Sequence, residues 1–114
     1  PFYFCPRSPM LYALKGGKVE RAAGTQDEIV HLVLDAEALM GAGLPCIHTD
    51  GNAASQPLNF FAGVSGLATL RWDVIRSWSW KDTADDNDRK RCKAAEFLVH
   101  DAVPWGHVQG IGVM

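Results

Sequence analysis

The sequence predicts a single α+β domain built from several short strands and short helices. Its 114 residues match the usual size of one domain. Hydrophobic residues make up 47% of the chain and charged residues 21%, which is typical of a globular protein and excludes a disordered one. Short apolar runs alternate with helix-start signals, and none approaches the roughly 20 residues of a membrane-spanning helix. Several short strands in a compact domain with short helices favour the α+β class.

The N-terminal segment, PFYFCPRSPM, predicts a strand followed by a helix. The aromatic run Phe2–Phe4 favours a strand that ends at Pro6. Ser8 is a good N-cap and Pro9 suits a first helical turn, so we expect a helix from there to Lys15, stopped by the two glycines that follow. The segment lacks the regions of a signal peptide and opens inside a strand-like run without an initiator Met, so we expect an upstream element to be missing.

Two strands and a short helix are predicted in the middle of the chain. The run Glu28–Asp35 is apolar and rich in branched side chains, which favours a buried strand. A helix is the alternative there, because Thr25 and Glu28 have the spacing of a capping box. Ala36–Ala42 favours a short helix or turn that ends near a glycine. Pro45–Thr49 favours a second strand, followed by an Asp-Gly-Asn turn.

The second half of the chain predicts one helical turn and two strands. Residues 53–70 are rich in small side chains and favour no single element. Leu70–Ile75 predicts a helical turn, and Lys81–Asp88 predicts a polar loop. Ala94–His100 predicts a strand that ends before a Val-Pro pair, and Gly110–Met114 predicts a last strand.

The charges and cysteines restrict the class of protein. Net charge is −2, so bulk charge gives no argument for nucleic-acid binding, yet seven of the 11 Lys and Arg residues lie between Arg71 and Lys93. Five Asp residues share that stretch, a mixture typical of a solvated face. The three cysteines, Cys5, Cys46 and Cys92, are widely spaced and odd in number. They favour reduced thiols in a cytoplasmic protein over a disulfide framework or a zinc site.

Arg7 is the first candidate site residue. It follows the aromatic strand and precedes the predicted helix start, whose free N–H groups and partial positive charge attract anions. Its planar guanidinium adds a fork of donors that suits a phosphate or a carboxylate. The alternative is an Arg at the surface or paired with an Asp.

Glu96 is the second candidate. It lies inside an apolar strand, where a carboxylate is costly unless it is paired or used. Strict alternation places Glu96 on one face with Leu98 and His100. Because neither face of this strand is cleanly polar, we expect Glu96 to point into a cleft and to act as a base. The alternative is a Glu at a sheet edge.

The segment before that strand interleaves aromatic and cationic side chains. Its members are Trp72, Trp78, Trp80, Arg71, Arg76, Lys81, Arg89, Lys90 and Arg91. Aromatic rings stack on unpaired bases, and cations follow the phosphates. The pattern predicts a surface for single-stranded nucleic acid. The alternative is that the Trp residues belong to the core and the charges are solvated.

His48 and Asp50 form a further polar pair. Two ligands are too few for a metal site, and no second cluster accompanies them. His48 is therefore either an ordinary hydrogen-bonded His or one that contacts substrate. Neither GxxxxGK nor GxGxxG occurs, so a nucleotide would not be bound as in a Rossmann fold.

Three segments occur in the order of a known family and cover nearly the whole chain. The first is FYFCPRSPMLY, from Phe2 to Tyr12. The second is HTDGNA, from His48 to Ala53, and the third runs from Arg89 through AEFLV to Trp105. Together they resemble the DarT family of DNA ADP-ribosyltransferases.

The resemblance implies an ADP-ribosyltransferase fold of the α+β class: a small, split, mixed β-sheet flanked by short helices, with NAD in its cleft. DarT-like proteins are toxins that transfer ADP-ribose from NAD to thymine or guanine in single-stranded DNA. A macrodomain antitoxin, DarG, removes the mark and can bind the toxin. The family's first segment, with a His and a Thr that contact NAD, is absent here, so we expect residues 1–114 to form a catalytic domain that lacks part of its NAD site.

The resemblance also implies residue roles. Glu96 corresponds to the family's catalytic Glu, and Arg7 corresponds to the Arg of its NAD site. The expected NAD contacts are Phe4, Arg7, Ser8, Tyr12 and His48, and the expected DNA contacts are Trp78, Trp80, Lys81, Arg89 and Arg91. No metal ion is expected.

Two other functions stay open at the level of sequence. One is a non-enzymatic or degenerate module that binds single-stranded nucleic acid. The other is an ADP-ribosyltransferase that modifies RNA or protein. A metal-dependent hydrolase built on His48 and Asp50 is disfavoured, because the sequence supplies too few ligands.

Overall fold

A computed structural model describes residues 1–15, 29–52 and 58–113 of the chain. Short strands and helices alternate through these ranges. The strands are β1 (Phe2–Tyr3), β2 (Val30–Val33), β3 (Cys46–Thr49), β4 (Phe60–Phe61), β5 (Glu96–Val99) and β6 (Gly110–Val113). The helices are α1 (Pro9–Lys15), α2 (Ala36–Gly41), α3 (Gly63–Leu67), α4 (Trp72–Ile75) and α5 (Arg89–Lys93), with a 3₁₀ turn at Trp105–His107.

The strands form two sheets, as expected of a split sheet. The larger has the order β1-β5-β3-β4, and β2 pairs with β6 in the smaller. The α+β class is confirmed. The resemblance implied a mixed sheet, but all the described pairings are antiparallel. β5 lies between β1 and β3 and runs opposite to both, so the end of β1 meets the beginning of β5.

Local sequence signals explain most of these elements. Ser8 caps α1, because its Oγ accepts a hydrogen bond of 3.3 Å from the Leu11 N–H. Asp35 caps α2, and its carboxylate accepts from the Glu37 and Ala38 N–H groups at 2.9 and 3.2 Å. A strand is confirmed within the predicted range 28–35 as β2, but the prediction that it is buried is wrong, because Val30, Leu32 and Val33 are 52%, 46% and 51% exposed. The predicted glycine stop after Lys15 lies outside the described residues.

Two helices and one strand were not predicted. β4 and α3 lie within residues 53–70, for which the sequence favoured no single element, and the second unpredicted helix is α5. α5 occupies residues 89–93, and β5 therefore begins at Glu96 instead of Ala94. The sequence of α5 has no apolar period. Its stability comes from tertiary contacts, because Cys92 and Lys93 are buried and Arg91 pairs with the distant Asp50 at 2.8 Å.

The core lies against one face of the larger sheet. Its buried cluster consists of Leu67, Leu70, Ile75 and Ala95. α3 approaches this sheet so closely that a Cβ at Gly66 would lie 2.6 Å from His48 Nε2. Only glycine fits at that contact, and it brings the helix backbone directly onto the His48 ring.

Two further findings concern the chain as a whole. Cys5, Cys46 and Cys92 are free thiols, as predicted. Among the described residues, no helix combines the length and the apolar character that crossing a membrane requires.

Candidate functional site

A row of polar side chains crosses one face of the larger sheet at the start of β5. Tyr3 is the register partner of Glu96 in the β1–β5 ladder. His48 pairs with Phe97 in the β3–β5 ladder, so the next position brings Thr49 beside Glu96. Because side chains alternate along a strand, these three groups share one face and Phe97 lies on the core face. Glu96 is only 5% exposed and lines neither of the two hollows described below, so the structure gives no support to the expectation that it points into a cleft.

Thr49 is hydrogen-bonded directly to the strand that carries Glu96. Its Oγ1 accepts a hydrogen bond of 3.2 Å from the Glu96 N–H. The same hydroxyl donates to the Gly51 carbonyl at 2.6 Å. Thr49 has no exposed surface, so this contact is shielded from water. The start of β5 is therefore fixed by a side chain of β3.

Tyr3 lies on the other side of Glu96. Burial raises the pKa of the Tyr3 phenol, and the charge of the Glu96 carboxylate raises it further. The phenol is therefore a neutral neighbour at physiological pH, and it can accommodate a carboxylate without a second negative charge.

A cavity of about 660 Å³ opens at the end of β1. It brings together four of the five expected NAD contacts with two expected DNA contacts. Its lining consists of Phe4, Cys5, Pro6, Arg7, Ser8, Leu11, Tyr12, Ile75, Arg76, Ser77, Trp78, Trp80 and Lys93. The combination of aromatic faces and cations suits a nucleotide, whose base can stack and whose phosphate can pair.

Two contacts of aromatic rings lie within the lining of this cavity. The Arg7 guanidinium lies over the Trp78 ring, 3.6 Å from its centroid, which is a cation–π contact. Trp80 meets Tyr12 edge to face at 5.6 Å. Trp78 remains 77% exposed, so its ring can still receive another planar group.

A second hollow of about 830 Å³ shares Tyr12, Trp78 and Trp80 with the first. Lys81 and Lys90 contribute positive charge to its lining. Of the aromatic and cationic segment singled out in the sequence, Trp78, Trp80, Lys81 and Lys90 line this hollow. Trp72 instead packs against the core, as the alternative expected.

Arg7 and Glu96 lie at the same end of the β1–β5 ladder. Tyr3, which ends β1, faces Glu96, which begins β5, and the chain then continues from Tyr3 to Arg7. Lys93, just before β5, lines the same cavity as Arg7. Glu96 itself is not part of that lining. The fold thus brings the two distant sequence motifs to neighbouring positions.

Arg89 and Arg91 are placed differently from the other expected DNA contacts. Arg91 is held by Asp88, at 2.6 Å from Nε, and by Asp50, at 2.8 Å from Nη1. Arg89 donates to the Ser79 carbonyl at 2.6 Å. Both guanidiniums are engaged within the fold, and neither lines the two hollows.

His48 does not lie with the other expected NAD contacts. Its ring is fully buried, and it is stacked between Phe61 and Phe97 at centroid distances of 6.1 and 6.3 Å. Neither ring nitrogen has a hydrogen-bond partner among the described residues. Burial lowers the pKa of His48, and the Gly66 backbone opposes this shift only in part. This position makes His48 a neutral core residue and does not support a contact with NAD.

Asp50 also has a structural environment. Burial alone would raise the pKa of its carboxyl, but hydrogen bonds from Asn59 and Arg91 outweigh burial and lower it. Among the residues that the structure describes, no group of three or more His, Cys, Asp or Glu side chains could hold a metal ion. The pairing of Asp50 with Arg91 gives no support to a hydrolase built on His48 and Asp50.

Sequence reasoning did not anticipate the role of Lys93. Its ammonium is buried and donates to the carbonyls of Ile75 and Ser77 at 2.5 and 2.8 Å. It thereby caps the end of α4 and forms part of the cavity wall. Burial raises the pKa of the neighbouring Cys5 thiol, and the charge of Lys93 offsets part of that rise. No periodicity or motif marks these residues in the sequence.

Comparison with known proteins gives a consistent result. The profile of the family described as "DarT: ssDNA thymidine ADP-ribosyltransferase" matches residues 1–114. A "DNA ADP-ribosyl transferase" of Thermus sp. (strain 2.9) is 43% identical over 113 residues, which is 99% of this chain and 52% of that protein.

Solved structures of the Thermus sp. 2.9 protein have the same fold as this chain. The complex of that DarT with NAD⁺ superposes with a TM-score of 0.88 at 41% identity, over 97% of this chain and 54% of that one. The complex with ADP-ribosylated ssDNA gives a TM-score of 0.87 at 41% identity, over 97% and 51% of the two chains. The chain thus spans about half the length of the relatives that it matches.

Proposed function

Because the chain belongs to the DarT family, we propose that the protein transfers ADP-ribose from NAD to a base in single-stranded DNA. One observation carries the proposal. Arg7 and Glu96 lie at the same end of one strand ladder, beside a cavity lined by aromatic rings and cations. A carboxylate, a guanidinium and stacking surfaces are what such a transfer needs. The NAD⁺ and ssDNA complexes of the similar Thermus DarT support both substrates.

Glu96 and Arg7 act on opposite charges of NAD as its glycosidic bond breaks: Glu96 on the ribose cation and Arg7 on the negative diphosphate. The bond between the ribose C1 and the nicotinamide nitrogen breaks, which leaves positive charge on the ribose, and nicotinamide departs with the bond's electron pair. Glu96 stabilises the ribose cation, while Arg7 pairs with the diphosphate and fixes the position of NAD. Phe4, Ser8 and Tyr12 complete the NAD contacts on the cavity side.

The acceptor is a base held on the aromatic surface. A ring nitrogen of the base forms the new bond to the ribose C1, and its proton passes to Glu96 and then to water. We propose thymidine as the acceptor, which is the nucleoside in the description of the matching family. The ring nitrogen of thymine carries a proton at neutral pH, so this acceptor needs a positioned base such as Glu96.

The DNA strand passes over the two hollows. Trp78 and Trp80 stack on its bases, and Lys81 contacts phosphates, with Lys90 alongside. Arg89 and Arg91, which the sequence assigned to phosphate contacts, have a supporting role in this proposal. Their guanidiniums are engaged with Ser79, Asp50 and Asp88 instead.

The test is a transfer assay on the complete protein, with labelled NAD and oligonucleotides that contain only thymidine or only guanosine as the reactive base. We expect NAD-dependent addition of ADP-ribose to the thymidine oligonucleotide by mass spectrometry. Glu96→Gln removes the base but keeps the shape, and it should slow transfer by at least about 100-fold with the fold intact. Glu37→Gln, on the exposed surface of α2, is the matched control and should retain activity.

The outcomes separate the competing functions. Modification by Glu96→Gln at the wild-type rate would remove Glu96 from the mechanism. DNA binding without NAD consumption would identify a non-enzymatic module, a function favoured by the exposed Trp78 and the nearby lysines. Transfer to RNA or to protein in place of DNA would retain the enzyme class and change the acceptor.

A toxin role and a location follow from the same family. We propose that the protein acts in the cytoplasm and is neutralised by a DarG-like macrodomain antitoxin. Expression without the antitoxin should arrest growth, and the Glu96→Gln variant should not. Growth unaffected by active wild-type protein would contradict the toxin role without affecting the enzymatic proposal.

A further inference from the structure

We infer that Thr49 is a positioning residue for Glu96, a role that rests on the proposed function. Its hydroxyl fixes the backbone from which the Glu96 carboxylate projects. The inference concerns Thr49 alone, which lines neither of the two hollows described above and has no exposed surface. Its effect on the reaction is therefore transmitted through Glu96.

The contact lies at the first residue of β5, one position beyond the last register pair of β3 and β5, which is His48 with Phe97. In a sheet, a backbone N–H that points toward a neighbouring strand normally donates a hydrogen bond to a carbonyl of that strand. Here the Glu96 N–H is accepted by Thr49 Oγ1 at 3.2 Å. The same oxygen lies 3.5 Å from the Glu96 carbonyl. A β-branched side chain, whose χ1 rotation is restricted, thus contacts the backbone of this residue on both its N–H and its carbonyl.

The direction of this hydrogen bond is fixed by a second one. The Thr49 hydroxyl donates its only proton to the Gly51 carbonyl at 2.6 Å. Its lone pairs are then left to accept, and one of them faces the Glu96 N–H. Because Thr49 is fully buried, water cannot replace the hydroxyl if it is removed.

A neighbouring ion pair joins the same two segments. Asp50, which follows Thr49, accepts from Asn59 at 2.9 and 2.8 Å and pairs with Arg91 at 2.8 Å. Arg91 belongs to α5, which leads directly into β5. The end of β3 is therefore tied to the approach to β5 through Asp50 and to its first residue through Thr49. The Thr49 hydroxyl acts on Glu96 directly: by binding the Glu96 N–H it fixes the backbone from which the Glu96 side chain extends.

A merely structural role predicts a different result from a positioning role. Thr69 offers the comparison, because its hydroxyl also donates to a glycine carbonyl, that of Gly66, at 2.6 Å. Thr69 lies outside the row that holds Glu96. Thr49→Val and Thr69→Val each delete one hydroxyl at constant volume. Only Thr49→Val removes a partner of Glu96.

The experiment is steady-state kinetics of ADP-ribose transfer to the oligonucleotide by the complete protein. For Thr49→Val we expect kcat to fall by about 100-fold, since small displacements of a catalytic group have effects of that size. We expect KM for NAD to stay close to the wild-type value. Thr49→Ser retains the hydroxyl and should restore most of kcat, and Thr69→Val should retain wild-type kcat.

Three results would overturn the inference: wild-type kcat in Thr49→Val, an equal loss of kcat in Thr69→Val, or a Thr49→Ser variant as slow as Thr49→Val. If Thr49→Val does not fold, Thr49→Cys retains a weak acceptor of similar size, and it should give a kcat between wild type and Glu96→Gln. Wild-type kcat in Thr49→Cys would also overturn the inference. Absence of transfer by the wild-type protein would instead remove the proposed function and this inference with it.

Discussion

The arginines within the described ranges fall into two groups that occupy different regions. Near α5, Arg71, Arg89 and Arg91 form ion pairs with aspartates. At the cavity, Arg7 and Arg76 lie over tryptophan rings, at 3.6 and 5.5 Å from the ring centroids. Neither cavity arginine forms a salt bridge with a carboxylate in the described ranges.

The difference indicates which charges hold the fold and which can bind a substrate. An arginine paired with two carboxylates is neutralised, and releasing it for a phosphate would leave those carboxylates without a partner. An arginine stacked on a ring is held in place but keeps its full charge and its N–H donors. The α5 region is therefore suited to stabilising the approach to β5, and the cavity region is suited to recognising anions.

The largest effect that would test this comparison is expected at Arg7. Arg7→Ala should lower kcat/KM for NAD by about 100-fold or more, because it removes a preorganised donor from a site of developing charge. Arg76→Ala removes one positive charge from the same cavity wall and should have a smaller effect. The measurement is transfer kinetics with NAD varied. Equal losses in the two variants would indicate general electrostatic attraction and no specific role for Arg7.

A smaller effect, on a different property, is expected at Arg91. Arg91→Met should lower the free energy of unfolding by about 2 kcal/mol, because it breaks charged hydrogen bonds of a half-buried side chain. Its affinity for single-stranded DNA should not change. Lys90→Met, at the neighbouring exposed position, should show the reverse: unchanged stability and weaker DNA binding. Denaturant unfolding and oligonucleotide titration distinguish the two, and weaker DNA binding by Arg91→Met would contradict the division.

The smallest effect is expected in how the stabilisation of the fold by Arg91 depends on pH. Hydrogen bonds from Asn59 and Arg91 lower the pKa of Asp50 despite its burial, and the hydrogen bond from Arg91 is the main cause of the lowered pKa of Asp88. A carboxyl whose pKa is lowered by folding stabilises the fold fully above the ordinary pKa of 3.8. This stabilisation is lost as the pH falls from about that value through the lower pKa of the folded state.

The stability difference between wild type and Arg91→Met should therefore shrink as the pH falls from about 6 to about 3. Protonation of buried His48 destabilises both proteins below the ordinary His pKa of 6.5, because its own pKa is lowered. That contribution cancels in the difference. Unfolding curves measured across this range provide the check, and a difference that is constant with pH would show that Asp50 and Asp88 gain nothing from Arg91.

Several features of the fold followed from local sequence. The branched run at β2, the aromatic run at β1 and the caps at Ser8 and Asp35 depend on neighbours in the chain. Strand alternation also indicated that Glu96 lies within an apolar strand. α5 could not be predicted, because its five residues have no apolar period and their burial depends on distant partners.

The candidate site shows the same limit. The motifs around Arg7 and Glu96 were recognisable as sequence, and the two residues do lie at one end of a ladder. The sequence alone did not separate His48, which is stacked in the core, from the residues that line the cavity.

The amino-acid sequence by itself predicted the described strands other than β4, the cap at Ser8, the α+β class and the likeness to a family, because each depends on residues close together in the chain. Tertiary structure alone decided the sheet order, the burial of Lys93 and Thr49, and the partner of each charge. The binding partner of a charged side chain cannot be inferred from its neighbours in the chain, because it depends on which distant residue the fold places opposite. Whether Arg91 binds an aspartate or a phosphate is settled only when the approach to β5 is brought against the end of β3.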